Sequence, residues 1–182
     1  MMEDNRESKI SEVDKKKKEY LDYINIHIAN VKKVWDNARI FLVEAQMTPE
    51  IIDITDRNIP FHDVSKFLSS EFEGYRQFFY QTSEEIRSVD VFNVAWNHHC
   101  KHNPHHWEYW IIPKKEANII LDMPQEMILE MLCDWTAMSL VFKNLPSEFY
   151  TKHKQEIILS SRTRVLLELW LPVFDRVAKE VS

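Results

Sequence analysis

Glycine is almost absent from this chain, because Gly74 is the single glycine among its 182 residues. Folds that hold phosphate groups on backbone amides need glycine where the chain turns tightly. Neither a GxGxxG nor a GxxxxGK[ST] motif occurs in the sequence. These absences exclude a Rossmann or P-loop enzyme, so any phosphate would be held by a metal ion or by side chains.

Cysteine and long apolar runs are also scarce. The two cysteines, Cys100 and Cys133, form no CxxC pair, which indicates a reducing compartment. The sequence contains no apolar run of about 18 residues, and its N-terminus is polar, so neither a membrane span nor a signal peptide is expected. The sequence therefore predicts a soluble, cytoplasmic protein with no membrane partner.

Positive charge is in short supply as well. The 23 lysines and arginines are outnumbered by 29 acidic residues, for a formal net charge of −6. The one basic run, Lys15–Lys18, is flanked by acids, as is typical of a solvated start of a helix. Double-stranded nucleic acid is therefore not an expected partner. The length suits one domain that buries roughly 70% of its unfolded surface.

Helical periodicity and helix-start signals dominate the chain. An apolar stripe with alternating steps of four and three runs through residues 10–46 and places His27 on its buried face. Capping residues, first-turn prolines and capping boxes mark several further helix starts. The predicted helices cover residues 10–46, 48–56, 70–80, 82–103, 124–143, 148–159 and 162–181.

These elements predict an all-α fold, a single-domain bundle of six or seven helices over residues 9–182. Residues 1–8 are polar and are expected to fray. A small hairpin and an irregular loop fit residues 111–121 equally well. Asn103 and Pro104 predict a new helix start, which would place His105 and His106 in a first helical turn.

Histidine, in contrast to glycine, is concentrated: five of the eight histidines lie between His98 and His106. Imidazole and carboxylate groups are the ligands of divalent metals such as Mn, Fe, Mg and Zn. The adjacent pair His62-Asp63 offers both ligand types. A single such pair is more typical of a capping or surface role, but it stands between two further candidate ligands on apolar stripes.

Those two candidates are His27 and Asp134. A carboxylate on the mostly hydrophobic helix around Asp134 needs a cation or hydrogen bonds, and Glu130 lies one turn earlier on the same face. A salt bridge for Asp134 and a satisfied core histidine at His27 are the structural alternatives. Together the four residues predict a metal site formed by His27, His62, Asp63 and Asp134.

The histidine cluster presents two helical stripes, one with His99 and one with His98, and only one stripe can point fully inward. Lys66 lies three residues after Asp63 and can face the same site. It would contact a phosphate there or form a structural salt bridge. Histidines that pack with the tryptophans around a polar core are the alternative to a histidine-lined site.

The order of His27, His62-Asp63, a central histidine at 98–99 and Asp134 on successive helices resembles that of the HD-domain metal-dependent phosphohydrolases. The resemblance implies an all-helical, HD-like fold in which those four residues bind a divalent metal. HD enzymes that hydrolyse guanosine polyphosphates usually follow the pair with two acids, whereas Ser65 and Lys66 stand here.

A closer likeness is to a family frequent in bacteriophage and bacterial genomes, to which no reaction is attached. It rests on four stretches of sequence that span about residues 20–170. These are His62-Asp-x-Ser-Lys-Phe, Ala95-Trp-x-x-His, Asn103-Pro-His-His-Trp-x-Tyr-Trp and Glu130-Met-Leu-Cys-Asp-Trp.

The sequence thus predicts a metal-dependent phosphohydrolase that acts on a nucleotide or another small phosphate ester. Asp63 and His99 are assigned catalytic roles, and substrate contacts are assigned to Lys66, His98, His105 and His106. One ion in a histidine-lined pocket is favoured over two. An HD-like di-iron oxygenase and a non-catalytic, metal-stabilised binding protein are the alternatives, and a homodimer is left open.

Overall fold

The longest helix, α1 (Glu12–Glu44), begins at Ser11, whose side chain accepts a hydrogen bond from the Asp14 N–H. The computed structural model describes residues 11–181, so the expected fraying of residues 1–8 lies outside the described residues. The buried face of α1 is the apolar stripe predicted from the sequence, and His27 is buried on it at 4% exposure.

The fold is all-α, as predicted, with a single two-stranded ribbon in the described part of the chain. Short 3-10 turns at Ile59–Phe61, Val64–Phe67 and Trp107–Trp110 connect some of the helices. After α1 come α2 (Pro49–Asn58), α3 (Ser69–Phe79), α4 (Val89–His102), β1 (Ile111–Ile112), β2 (Ile119–Ile120), α5 (Gln125–Phe142), α6 (Pro146–His153) and α7 (Ser161–Val181).

Helix α5 lies at the centre of the larger apolar core, where it packs against α1, α2, α6 and α7. Its residues from Ile128 to Cys133 are all buried, which explains why its sequence is apolar on every side. A smaller core cluster lies between α1, α3 and α4 and contains Tyr20, Ile24, Tyr75 and Ala95. Helix α1 passes through both clusters, and the candidate site lies where they meet.

The single glycine marks the closest approach of two helices. A Cβ atom at Gly74 of α3 would lie 2.6 Å from the Cβ of Ala95 on α4. The absence of a side chain at this position therefore lets α3 and α4 pack in direct contact.

Helix α4 begins later than predicted. Its N-cap is Ser88, which accepts a hydrogen bond from the Val91 N–H, whereas the predicted start was Thr82. Glu85 does accept a hydrogen bond from the Thr82 N–H, but its carboxylate also binds the buried Arg76 guanidinium of α3. This tertiary ion pair holds the segment before Ser88 in a non-helical conformation.

The prediction that Asn103 starts a new helix is also wrong. Asn103 ends α4, and its side-chain amide donates a hydrogen bond back to the His99 carbonyl, 2.8 Å away. His105 and His106 consequently lie in the connection before the Trp107–Trp110 turn rather than in a helical first turn. Their rings are free to point inward from an irregular segment.

The region 111–121 forms the small hairpin, in which Ile111 pairs with Ile120 and Ile112 with Ile119. The helix predicted over 148–159 is displaced toward the N-terminus, since Pro146 occupies its first turn. None of the helices described is long and apolar enough to cross a membrane.

Candidate metal centre

The His62-Asp63 pair lies between two 3-10 turns, where the chain changes direction. Asp63 adopts a left-handed backbone conformation, with φ 58° and ψ 13°, which aspartate tolerates better than most residues. In this conformation the adjacent side chains of His62 and Asp63 both point into the core, and each is 1% exposed. On a regular helix neighbouring side chains would diverge by about 100°.

The structure brings the four predicted ligands together from three separate parts of the chain. The His27 Nε2 atom lies 3.1 Å from Asp134 Oδ1 and 3.3 Å from Asp63 Oδ2. The His62 Nε2 atom lies 3.4 Å from His27 Nε2 and 3.6 Å from Asp63 Oδ2. We call these four residues the first ligand group. The ligand atoms of His27, His62 and Asp134 all lie within 4.8 Å of one another, which suits one cation held between them, and Asp63 Oδ2 lies beside this set.

A second group of ligand atoms forms around the other oxygen of Asp63. Asp63 Oδ1 lies 3.2 Å from His99 Nε2 and 3.5 Å from His105 Nε2, and His106 Nε2 lies 2.9 Å from His99 Nε2. We call Asp63, His99, His105 and His106 the second ligand group. The sequence favoured one ion, whereas the geometry offers two adjacent positions that share Asp63.

Two buried carboxylates orient the imidazole rings. Glu130 Oε1 lies 3.0 Å from His62 Nδ1 and 3.1 Å from His105 Nδ1, so one oxygen serves a histidine of each ligand group. Glu71 Oε2 lies 2.8 Å from His99 Nδ1. Because an ionised carboxylate only accepts, each Nδ1–H donates to it, and Nε2 is the nitrogen of each ring that faces the centre. Carboxylates occupy this position behind metal-binding histidines in many metalloproteins.

Two atoms of the second ligand group lack any hydrogen-bond partner in the described part of the chain. Asp63 Oδ1 and His105 Nε2 are both buried, and they lie 3.5 Å apart. An unpartnered carboxylate oxygen and an imidazole nitrogen are costly to bury unless a cation compensates them. The residues present therefore fit a bound metal ion.

The electrostatic field of the centre favours positive charge. Burial lowers the pKa of His27, but its contacts with Asp134 and Asp63 outweigh burial and raise that pKa to about 9. Burial likewise opposes protonation of His105, whose contacts with Asp63 and Glu130 raise its pKa to about 10. A divalent cation would meet the same attraction that the protons meet here.

The negative charge of the centre also attracts the ammonium group of Lys66. Its Nζ atom donates a hydrogen bond to Asp63 Oδ2, and its side chain is 13% exposed at the edge of a cavity. Burial disfavours ionisation of Asp63, but the positive charge of Lys66 outweighs burial and holds the pKa of that carboxyl well below its usual range. The sequence left two roles for Lys66, a contact with phosphate and a structural salt bridge. In the structure Lys66 forms an ion pair, and its side chain also reaches the cavity.

The structure does not bring His98 to the centre. Its Nδ1 atom lies 2.7 Å from Glu71 Oε1, and its ring stacks on His102 with centroids 3.8 Å apart. His99 occupies the inward stripe of α4 and is fully buried. Among the predicted substrate contacts, Lys66 and His106 line the cavity, His105 is buried in the second ligand group, and His98 lies outside.

The centre opens into a cavity of about 810 Å³. His27, His99, His106 and Asp134 form its floor, and Lys66 is the one lysine or arginine among its described lining residues. Its walls are mainly aromatic. The aromatic residues in the lining are Tyr20, Tyr23, Tyr75, Phe79, Tyr80, Phe92, Trp96, Trp107, Trp135, Phe142 and Phe149. An organic molecule with a small polar end fits such a lining.

Sequence reasoning missed two kinds of residue. Glu71 lies in the first turn of α3, where an acid is typical of a solvated helix start, and only the packing of α3 on α4 buries it. Tyr20 and Tyr75 resemble ordinary core residues in sequence. The placement of Glu130 one turn before Asp134 was the one available signal for a supporting carboxylate.

The chain belongs to a family of unknown function, DUF5662, whose profile matches residues 16–171. The matched range includes every residue of both ligand groups. Neither the curated proteins nor the solved structures contain a match to the chain. Function must therefore be argued from the site itself.

Proposed function

We propose that the protein is a metal-dependent phosphohydrolase that acts on a nucleotide or another small phosphate ester and uses two metal ions. The observation that carries the proposal is the position of Asp63, which presents one carboxylate oxygen to each ligand group. A carboxylate between two groups of ligands would serve two neighbouring cations. The order of the ligands along the chain resembles that of the HD-domain phosphohydrolases, which supports the proposed hydrolase activity.

The first ligand group would hold one ion, and the second ligand group would hold the other. Bound metal ions would lower the pKa of a water molecule and polarise a phosphoryl oxygen. Glu130 and Glu71 orient the rings of His62, His105 and His99 so that their Nε2 atoms would bind the ions. The residues thereby supply a rigid, largely preorganised centre, which limits the reorganisation needed during the reaction.

Lys66 would bind the phosphoryl group. Its ammonium group lies at the cavity edge beside Asp63, within reach of an anion that approaches the centre from the cavity. Since a protonated lysine does not bind metal, a metal ion that displaced Lys66 from Asp63 would leave its charge to the substrate. Hydrolysis would consume one water molecule and release inorganic phosphate and an alcohol into the cavity.

Metal analysis and a screen for phosphate release test the proposal together. The protein, loaded with Mn, Mg, Zn or Fe, is incubated with nucleotides and other phosphate esters, and the bound metal is counted. We expect two ions per chain and phosphate release. Asp63→Ala should abolish both while helical content persists, because Asp63 lies in a short turn between helices.

Asp90→Ala is the matched control, since Asp90 is an exposed acid in the first turn of α4. It should keep both metal ions and all activity. Full metal occupancy in Asp63→Ala would contradict the proposed centre. Two bound ions without phosphate release from any ester would contradict the hydrolase.

A di-iron oxygenase is the second candidate, and the composition of the cavity favours it. An aromatic cavity with one cation suits the oxidation of an apolar substrate as well as the binding of an ester. Two bound irons with absorption in the visible range and substrate-dependent oxygen consumption would support this candidate. A chain that binds no metal would support a non-catalytic binding protein.

A further inference from the structure

Two phenol hydroxyls beside the candidate metal centre have no hydrogen-bond partner among the residues described. Tyr20 on α1 and Tyr75 on α3 are 1% and 6% exposed, and both line the cavity. A buried hydroxyl without a partner is unfavourable, and buried tyrosines usually find one. The pair therefore has two unused donors, both buried, in residues of the cavity wall.

Both tyrosines lie close enough to Asp63 to feel its charge. Burial, followed by the negative charge of Asp63, raises the pKa of both Tyr20 and Tyr75. The Tyr75 ring meets the His99 ring edge-on with centroids 5.8 Å apart, and Lys66 Nζ lies 5.7 Å from its centroid. The Tyr20 and Tyr75 rings stack with centroids 6.4 Å apart and an interplanar angle of 7°.

The other tyrosines of the cavity differ from this pair. The Tyr23 hydroxyl has the Met138 sulfur as a partner, at 3.7 Å. After burial, the pKa of Tyr80 responds to Glu19 and Lys16 rather than to Asp63, so its hydroxyl belongs to another part of the surface. Only Tyr20 and Tyr75, among the tyrosines that line the cavity, combine an unpartnered hydroxyl with a position near the centre.

We propose that Tyr20 and Tyr75 are positioning residues, which donate hydrogen bonds to an anionic oxygen of a substrate with one phosphoryl group on an aromatic body. The inference rests on the proposed function and names the substrate class of that site. Neutral O–H donors hold a phosphoryl oxygen without added charge. The metal ions and Lys66 would meet the phosphoryl group at the centre, and the described lining contains no other lysine or arginine for the further phosphates of a polyphosphate.

The walls of the cavity suit the rest of such a substrate. Trp96 and Trp107 line it beside the second ligand group, and Trp135 follows Asp134 of the first. Aromatic side chains of this kind stack on planar organic groups such as a nucleobase. The tyrosine donors would thus hold the phosphoryl end while the indole rings hold the aromatic end.

Isothermal titration of the manganese-loaded protein with inorganic phosphate tests the donor pair. Tyr20→Phe and Tyr75→Phe should each weaken phosphate binding by about tenfold or more, because each loses a hydrogen bond to an anion. Metal stoichiometry should stay unchanged. The Tm of the phosphate-free variants should stay equal or rise, since the change removes a buried hydroxyl that has no partner.

Tyr109→Phe is the control, because Tyr109 is 42% exposed and is not part of the cavity lining. It should leave phosphate affinity unchanged. No phosphate binding by the wild-type protein, or unchanged affinity in both cavity variants, would overturn the proposal. A Tm that falls in step with the loss of affinity would assign the tyrosines a structural role and overturn it too.

A second titration tests the substrate class, with adenosine monophosphate against adenosine triphosphate. Tighter binding of the monophosphate is expected, and equal or tighter binding of the triphosphate would overturn the claim of a single phosphoryl group. If the tyrosine variants lose phosphate binding but no ester is hydrolysed, the proposed hydrolase activity is wrong and the proposed role of the two tyrosines is supported. If esters are hydrolysed with an unchanged KM in both variants, the proposed role of the two tyrosines is wrong and the hydrolase activity is supported.

Discussion

At the scale of single residues, Glu130 connects the two halves of the centre. One oxygen of this carboxylate accepts hydrogen bonds from His62 and from His105, which belong to different ligand groups. Burial disfavours ionisation of Glu130, but these two histidines outweigh burial and lower its pKa to about 2. Glu130 therefore stays ionised, and both imidazoles keep the tautomer that directs Nε2 at the centre.

Glu130→Gln should weaken metal binding by about 10- to 100-fold, the usual cost of losing a carboxylate behind a metal-binding histidine. Glutamine keeps the volume, but it cannot accept from both rings through one ionised oxygen. Competition with a chelator measures the affinity. Glu126→Gln, one turn earlier on α5, is the control and should bind metal normally. An unchanged affinity in Glu130→Gln would show that the two rings need no carboxylate for their orientation.

At the scale of elements, the crossing of α3 and α4 positions the second ligand group. His99 lies one turn after Ala95 on α4, and Ala95 packs against Gly74. Glu71, which holds the His99 ring, lies one turn before Gly74 on α3. The contact at Gly74 thus sets the distance between a ligand and the carboxylate that orients it.

Gly74→Ala should destabilise the protein by about 1–3 kcal/mol, the usual cost of overpacking. The added methyl would meet the Ala95 Cβ at 2.6 Å and the Val91 carbonyl at 3.1 Å, neither of which is a flexible side-chain end. This cost should exceed the gain of roughly 0.5–1 kcal/mol from replacing a helical glycine. Urea unfolding measures the stability, and metal analysis should show weaker binding by the second ligand group.

The double variant Gly74→Ala with Ala95→Gly is the control for the crossing. Ala95→Gly removes the methyl group that the new side chain at position 74 would meet. The double variant should therefore recover part of the lost stability and metal affinity. A Gly74→Ala variant more stable than wild type would show that the helices separate at little cost.

At the scale of the whole molecule, the centre makes the free energy of unfolding depend on pH. The pKa of His27 is raised to about 9 and that of His105 to about 10, against about 6.5 in an unfolded chain. Groups with a raised folded pKa add stability that is fully present below pH 6.5 and is lost as pH rises through the folded pKa. His62 and His106, whose pKa values burial lowers, are neutral in both states above pH 7 and do not oppose this trend.

The metal-free protein should therefore lose stability between pH 7 and pH 8.5, by up to about 1.4 kcal/mol per pH unit for each of the two histidines. This window lies below the ordinary cysteine pKa of about 8.5. Metal affinity should rise over the same window, because fewer protons compete for the ligands. Thermal unfolding at several pH values, with and without manganese, measures both trends. A metal-free Tm that rises toward pH 8.5 would contradict the arrangement around His27 and His105.

The sequence by itself determined the all-α class and most helix positions, and it predicted the four residues of the first ligand group. Those features depend on local signals: a stripe of period 3.6 placed His27 inside, and an acid on the apolar helix around Asp134 required a partner. A tertiary contact displaced the start of α4, whereas the Asn103 hydrogen bond to His99 and the position of Pro146, both local, displaced two other boundaries. At the start of α4, Glu85 of the predicted capping box also binds Arg76 of α3, a residue that no local capping pattern includes.

Only the tertiary structure decided which side chains meet at the centre. The left-handed turn at Asp63, the inward choice of His99 over His98 and the burial of Glu71 all follow from how α3 and α4 pack around the His62-Asp63 turn. The second ligand group follows from an irregular connection whose direction no periodic pattern encodes. Periodicity fixes the face of a helix on which a residue lies, while the distance between residues on different elements depends on how those elements pack.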